Sequence, residues 1–130
     1  MRIHHIALTV DDLRESIGFY TEIFGFSVSQ QFERKDMGAQ AAFLKLEDAF
    51  LELWQFQDSQ EQEDIGKLNK KGIRHIAFAV DDLDKQVGML EERGIGYQEP
   101  KMGASGHRYT FISDPSGIPL ELYETAGEGG

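Results

Sequence analysis

The sequence predicts an α+β fold made of two copies of one module, each with the element order βαβββ. Residues 3–13 return as residues 73–83, seventy positions later, with His, Ile, Ala, Val, two Asp and Leu in the same places. A second repeat relates residues 50–54 to residues 119–123 through a shared Leu-Glu-Leu. Within each copy the apolar residues change from a period of two to helical spacing, which is typical of a strand followed by a helix.

The first module begins with a predicted strand over residues 3–10. Since side chains alternate between the two faces of a strand, His5 shares one face with the small side chains of Ala7 and Thr9. The opposite face is bulky and apolar, which is typical of core, and His4 is expected there in a structural role. Asp11-Asp12 then offers a helix N-cap and Gly25 a C-terminal stop. Three more strands are predicted at about 26–33, 40–46 and 50–56.

The second module repeats this order. Its first strand places His75 with Ala77 and Ala79, opposite a bulky apolar face. Asp81-Asp82 is the corresponding N-cap, and the helix is expected to end at Gly94. The remaining strands are predicted at about 96–100, 107–113 and 118–124.

The predicted domain organisation follows from the repeat. Residues 1–56 form the first module and residues 73–124 the second. Residues 57–72, rich in Gln, Glu, Asp and Lys, form a polar linker with a possible short helix at 61–70. Residues 125–130 are expected to be a disordered tail.

The composition excludes several classes of function. A net charge of −10 and a pI of about 4.7 argue against nucleic acid or a membrane as partner. The 130 residues include no cysteine, no long apolar run and no signal-peptide pattern, so a cytoplasmic location is expected. Basic clusters at Arg34-Lys35 and at 67–74 could hold an anionic small-molecule substrate, although solvated surface lysines are the more common explanation.

The repeat gives each module one His and one Glu that suggest a metal site, namely His5 and Glu52, then His75 and Glu121. Each Glu lies between apolar residues on its strand face, and no Lys or Arg two positions away pairs with it. Two imidazoles and two carboxylates neutralise a divalent cation, and this donor set suits Ni, Co, Mn, Fe or Zn. The alternative for each residue is a structural His or an edge-strand Glu that faces water.

Residues 2–124 resemble the vicinal oxygen chelate superfamily of glyoxalases, bleomycin-resistance proteins and extradiol dioxygenases. The resemblance implies a curved mixed sheet around a metal-binding cleft, with His5, Glu52, His75 and Glu121 at the ligand positions. The catalytic base is then one of two carboxylates, Glu121 or Glu52, and the resemblance favours Glu121, with Glu52 on the opposite side. The motifs that carry it are His5-Ile6-Ala7-Leu8-Thr9-Val10-Asp11, Phe19-Tyr20-Thr21-Glu22-Ile23-Phe24-Gly25-Phe26, His75-Ile76-Ala77-Phe78-Ala79-Val80-Asp81, and Asp114-Pro115-Ser116-Gly117 before Leu120-Glu121-Leu122.

In this chain all four ligand positions of the family hold a His or a Glu, and this set is most similar to that of glyoxalase I. Glyoxalase I is a lyase or isomerase that moves a proton through a metal-bound enediolate. Thr9 and Phe56 stand where glutathione-using members have Arg and Asn, so glutathione is not implied. An epimerase of methylmalonyl-CoA type, a fosfomycin-type thiol transferase and a metal-free drug-binding module stay open. The resemblance further implies a homodimer, with the site inside one chain or shared between two. His107 is a further residue that could approach the substrate.

Overall fold

The computed structural model describes residues 1–125, and the chain divides into two compact units, Met1–Glu61 and a second unit from Gln62 onward. Residues 1–125 contain two α-helices and eight strands in the order of two βαβββ modules. The predicted α+β fold is therefore confirmed. Of the tail expected at 125–130, residues 126–130 lie outside the described part, while the backbone N–H of Thr125 donates to the carbonyl of Val80 at 2.9 Å.

The first module forms a four-stranded mixed sheet with the strand order β1-β4-β3-β2. Strand β1 runs parallel to β4, and the other pairs are antiparallel. Parallel neighbours such as β1 and β4 need a crossover connection. A helix is expected in that connection, and it lies between β1 and β2 in the chain. The elements are β1 His5–Thr9, α1 Leu13–Phe24, β2 Ser27–Arg34, a short 3-10 helix Lys35–Met37, β3 Ala39–Leu46 and β4 Ala49–Phe56.

Helix α1 is fixed at both ends by local hydrogen bonds. The carboxylate of Asp12 accepts from the backbone N–H of Glu15 at 3.0 Å, as the predicted N-cap requires. A side chain from the sheet adds a second cap, since Oε1 of Gln55 accepts from the N–H of Leu13 at 2.7 Å. Gly25 ends the helix in the left-handed conformation, with φ of 80°. The apolar face of α1, including the fully buried Tyr20, packs on the sheet and forms the core of this module.

The second module has the equivalent sheet, with the order β5-β8-β7-β6. Asp82 caps its helix by accepting from the N–H of Lys85 at 3.1 Å, and Glu124 accepts from the N–H of Leu83 at 2.8 Å. The elements are β5 Ile76–Val80, α2 Leu83–Glu92, β6 Lys101–Met102, β7 Arg108–Ser113 and β8 Pro119–Glu124. No helix among the described residues is long and apolar enough to cross a membrane.

Two predicted elements are wrong. Residues 96–100 are not a strand, and β6 consists of Lys101–Met102 alone. The backbone N–H of Gln98 does bond to the carbonyl of Phe111 at 3.0 Å, but Pro100 has no N–H with which to continue a ladder. Residues 61–70 form turns rather than a helix, because Asp64 adopts a positive φ of 54° that interrupts helical geometry.

Candidate metal centre

The parallel pairing of β1 with β4 brings His5 and Glu52 onto one face of the first sheet. In the strand register Ala7 lies opposite Glu52, so His5, two residues before Ala7, is the diagonal neighbour of Glu52. Nε2 of His5 lies 3.8 Å from Oε1 of Glu52. Leu51 and Leu53 point to the other face and are buried. The predicted division into a small-residue face that carries the His and an apolar face under the helix is therefore correct.

The second module repeats this arrangement. Ala77 lies opposite Glu121, and Nε2 of His75 lies 3.6 Å from Oε1 of Glu121. The side chains of His75 and Glu121 are 26% and 16% exposed, so both are accessible from the sheet face although the carboxylate is largely covered. Each module thus presents one imidazole nitrogen and one carboxylate as a facing pair.

The spacing of these pairs is suited to a shared cation. At 3.6 and 3.8 Å the nitrogen and oxygen atoms are too far apart for a hydrogen bond. Two ligand atoms that bind one ion at about 2.1 Å lie about 3.0 to 3.4 Å apart at right or tetrahedral angles, so a small rotamer adjustment would suffice. Within residues 1–125, no three His, Asp or Glu side chains lie together as a metal site, so the structure assembles two pairs and the four-residue site stays a prediction.

A tryptophan holds the first carboxylate in place. Nε1 of Trp54 donates to Oε1 of Glu52 at 2.8 Å. Both side chains lie on the same face of β4, two residues apart, and the ring of Phe32 packs edge-on against the indole at 5.5 Å. The sequence places Trp54 beside Glu52 but gives no sign that the indole N–H supplies the partner that the carboxylate needs.

His4 contacts the site, contrary to the expectation that it faces the core. Its ring stacks on Phe50 at a centroid distance of 4.8 Å, and its Nδ1 lies 2.9 Å from Nδ1 of His5. One of the two nitrogens must carry the proton. With His5 as the donor, Nε2 of His5 keeps its lone pair on the side of Glu52, which is the form of imidazole that binds a metal ion.

The corresponding face of the second module is more polar. The ring of His75 packs edge-on against Phe111 at 5.0 Å, and the hydroxyls of Tyr123 and Ser105 lie 2.7 Å apart. Nδ1 of His107 lies 2.8 Å from the carbonyl oxygen of Glu124, and its ring is 5.1 Å from that of Tyr123. His107 therefore lies beside Tyr123, two residues along β8 from Glu121, and its approach to a substrate stays a prediction.

Two arginines outside these pairs form ion pairs that shift the pKa of their partners. Hydrogen bonds from the guanidinium of Arg108, followed by the N–H of Leu83, lower the pKa of the Glu124 carboxyl, and the same pairing raises the pKa of Arg108. Asp84 also contacts Arg108, at 3.2 Å. In the first module Arg34 is paired with Asp36 at 2.8 Å, which raises the pKa of Arg34 and lowers that of Asp36. These cations are therefore already neutralised by acidic neighbours.

Comparison with known proteins identifies the family. Residues 2–122 match the model of the Glyoxalase/Bleomycin resistance protein/Dioxygenase superfamily. The chain belongs to this superfamily. The match spans both modules, so it includes the four predicted ligand positions of this glyoxalase-superfamily chain.

Three relatives place the chain within the glyoxalase superfamily. The uncharacterized protein YwkD of Bacillus subtilis (strain 168) is 39% identical over 124 residues, which cover 94% of this chain and 95% of that protein. The mitochondrial methylmalonyl-CoA epimerase of Dictyostelium discoideum is 32% identical over 129 residues, covering 95% of this chain and 78% of the relative. The crystal structure of a glyoxalase family protein from Enterococcus faecalis aligns with a TM-score of 0.84 and 30% identity, over 95% of this chain and 97% of that one.

Proposed function

We propose that this chain is a divalent-metal-dependent lyase or isomerase of the glyoxalase I type, which transfers a proton beside the carbonyl of a small carbonyl or thiol-adduct substrate. The observation that carries the proposal is the matched pair in each module, an imidazole Nε2 and a carboxylate Oε1 that face each other at 3.8 and 3.6 Å. Membership of a superfamily that includes glyoxalases and dioxygenases supports it.

His5, Glu52, His75 and Glu121 would together hold the ion, which would be Ni, Co, Mn, Fe or Zn. A divalent cation at this position supplies Lewis acidity, which makes a proton next to a coordinated carbonyl easier to remove. The mixed nitrogen and oxygen donors and the two negative charges fit such a cation. We expect a homodimer, in which the four residues come from one chain or from both, and a monomeric mass in light scattering would contradict the dimer.

Different contacts assign different roles to the two carboxylates. Glu52 is held by the indole of Trp54, so its reorientation would break a 2.8 Å hydrogen bond. The Glu121 carboxylate lies 3.6 Å from Nε2 of His75 and accepts no hydrogen bond from a side chain among the described residues. Glu121 is therefore the carboxylate that can turn towards a substrate, take a proton from carbon and return it to the same or the adjacent carbon. Glu52 would remain a ligand of the ion, held by the indole of Trp54.

The test compares Glu121→Gln with Glu52→Gln. Glu121→Gln should fold and keep much of its metal affinity, yet lose a factor of about 10² to 10⁴ in turnover because the base is gone. Metal content by elemental analysis and product formation from methylglyoxal with a panel of thiols are the two measurements, and Glu61→Gln is an exposed control. Full turnover by Glu121→Gln would refute the assignment of the base.

A second function is favoured by one observation, the 32% identity to a methylmalonyl-CoA epimerase over nearly the whole chain. The same base would then remove and return a proton at the carbon beside a thioester. Incubation with methylmalonyl-CoA in D₂O separates the two reactions, since an epimerase incorporates deuterium into that ester and a glyoxalase does not. A purified protein without divalent metal, whose stability is unchanged by chelator, would favour the drug-binding alternative over both.

A further inference from the structure

Strand β2 is the outer edge of the first sheet, because the strand order is β1-β4-β3-β2. Among residues 1–125 it pairs with β3 alone, so alternate N–H and C=O groups along its outer side meet no other strand. Seven of its eight residues are exposed, and the eighth, Phe32, is half-buried. An edge of this kind is a template for pairing with a further strand.

The two modules differ in how this edge is protected. Proteins usually blunt an edge strand by keeping it short or by placing Lys, Pro or a bulge in it. The equivalent edge strand of the second module, β6, is only two residues long. By contrast, β2 has eight residues without Lys or Pro. A bulge between Val28 and Gln30 protects only its first part, so residues 30–34 pair with β3 in an unbroken register and leave an open edge.

The open edge is complementary to itself. When two copies pair antiparallel with Phe32 at the centre, Phe32 faces its own counterpart, and Gln31 faces Glu33 of the other copy on both sides of the axis. Two aromatic rings are favourable cross-strand neighbours, and an amide can donate to a facing carboxylate. Pairing centred on Glu33 or on Arg34 would place like charges directly opposite each other, and pairing centred on Gln30 or Gln31 would bring the bulge into the interface. The side chains therefore favour the register centred on Phe32.

The side chains of this edge are already placed for such a pairing. The ring of Phe32 packs edge-on against Trp54 at a centroid distance of 5.5 Å and lies 5.9 Å from the ring of Phe43. Gln31 and Glu33 lie on the opposite face of the strand, and both are exposed. Neither side chain has a hydrogen bond or an ion pair among the described residues. A second copy would therefore cover the exposed part of a fixed ring and supply partners for two polar side chains.

We propose that residues 30–34 of β2 are a binding surface for a second copy of this chain, which pairs antiparallel across Phe32 and extends the sheet. The net charge of the chain is −10, yet Glu33 and Arg34 balance each other in the pairing segment, so the two copies do not repel at this edge. Five residues from each copy form a small interface, so the dimer dissociates on dilution. The surface lies two strands away from β4, which carries Glu52, so the pairing does not depend on a metal ion or on the proposed function.

Sedimentation equilibrium of the full-length protein with chelator present, from micromolar to millimolar concentration, measures the dimer. Gln31→Glu places two carboxylates opposite each other on both sides of the axis and should raise the dissociation constant about tenfold. Gln31→Lys faces Glu33 with the opposite charge and should bind as tightly as the wild type or more tightly. Gln60→Glu adds a negative charge at an exposed site outside β2 and should match the wild type. A monomer at every concentration, or equal dissociation constants for Gln31→Glu and Gln31→Lys, overturns the inference.

A cross-linking measurement tests the register itself. The chain has no cysteine, so introduced thiols are the only ones present. Directly opposite residues of antiparallel strands have Cα atoms about 4.5 to 5.5 Å apart, which a disulfide can bridge. The double variant with Gln31→Cys and Glu33→Cys keeps Phe32 and should form a disulfide-linked dimer on mild oxidation, whereas either single variant should stay unlinked. Absence of any cross-link, or equal cross-linking by a single variant, overturns the inference.

Discussion

The indole N–H of Trp54 donates a 2.8 Å hydrogen bond to the carboxylate of Glu52, a contact that the second module does not repeat. At the matching position Tyr123 directs its hydroxyl to Ser105, at 2.7 Å. Two modules with the same strands and the same His–Glu spacing thus differ in how firmly each carboxylate is held. This difference is the structural basis for assigning distinct roles to Glu52 and Glu121.

Replacing Trp54 by Phe should weaken metal binding without unfolding the module. The substitution keeps an aromatic ring on the sheet face but removes the donor to Glu52, and loss of such supporting contacts to metal ligands typically costs about 10- to 100-fold in affinity. Titration with Ni²⁺ or Co²⁺ measures the change. Tyr123→Phe is the matched control, since it removes a hydrogen bond to Ser105 only and should leave the affinity unchanged. A similar loss in both variants would contradict the role given to the indole.

Replacing His4 by Phe should also lower metal affinity, by up to about tenfold. The phenyl ring can keep the stacking on Phe50, but it cannot accept a hydrogen bond from Nδ1 of His5. Without that bond, the tautomer of His5 that leaves a lone pair on Nε2, facing Glu52, is no longer stabilised. Asparagine offers an oxygen near the position of the lost nitrogen, so His4→Asn should bind metal better than His4→Phe. If both variants bind like the wild type, His4 has only a packing role.

Strand periodicity allowed the faces of His5 and Glu52 to be predicted, because a period of two assigns every side chain to one side of a sheet. The repeat added the same assignment for His75 and Glu121. The hydrogen bonds from Trp54 to Glu52 and between the two histidines were not predictable, because they depend on side-chain rotamers, which a single sequence does not specify.

The linker shows a different limit of sequence reasoning. Its polar composition is compatible with a short helix, but Asp64 adopts a positive φ of 54°, and its carbonyl accepts from the N–H of Lys67 in a turn at 3.0 Å and from Nη1 of Arg74 at 2.9 Å. That contact spans ten residues and depends on how the chain folds back before β5. Local propensity therefore gave the wrong structure for residues 61–70, where turns and a contact from Arg74 are found in place of a helix.

Gln55 should contribute measurably to the stability of the first module. Its side chain caps α1 from the sheet by accepting from the N–H of Leu13 at 2.7 Å, and loss of a helix cap costs about 0.5 to 2 kcal/mol. Gln55→Met keeps the length of the side chain without the acceptor and should lower the free energy of unfolding by about 1 kcal/mol in urea titrations. Gln55→Glu keeps the acceptor, as Glu124 does in the second module, and should be close to wild type. Equal free energies of unfolding for the wild type, Gln55→Met and Gln55→Glu would show that the cap from Gln55 does not contribute to stability.

The ion pair of Arg108 with Glu124 should make stability depend on pH in the acid range. Hydrogen bonds from Arg108, and then from the N–H of Leu83, lower the pKa of Glu124 in the folded protein below its ordinary value of 4.5. Since the unfolded chain binds the proton more readily, this stabilisation is present above pH of about 4.5 and is lost as pH falls through the lower, folded pKa.

Glu124→Gln isolates this contribution, because glutamine keeps an acceptor for Leu83 but does not ionise. Its melting temperature should be lower than that of the wild type at pH 7, and the two should converge as the pH falls below about 4.5. Glu61→Gln changes the charge by the same amount at an exposed site, so it should follow the wild-type curve. Thermal unfolding between pH 7 and pH 3 makes the comparison. Parallel curves for wild type and Glu124→Gln would show that ionisation of Glu124 does not contribute to the stability of the fold.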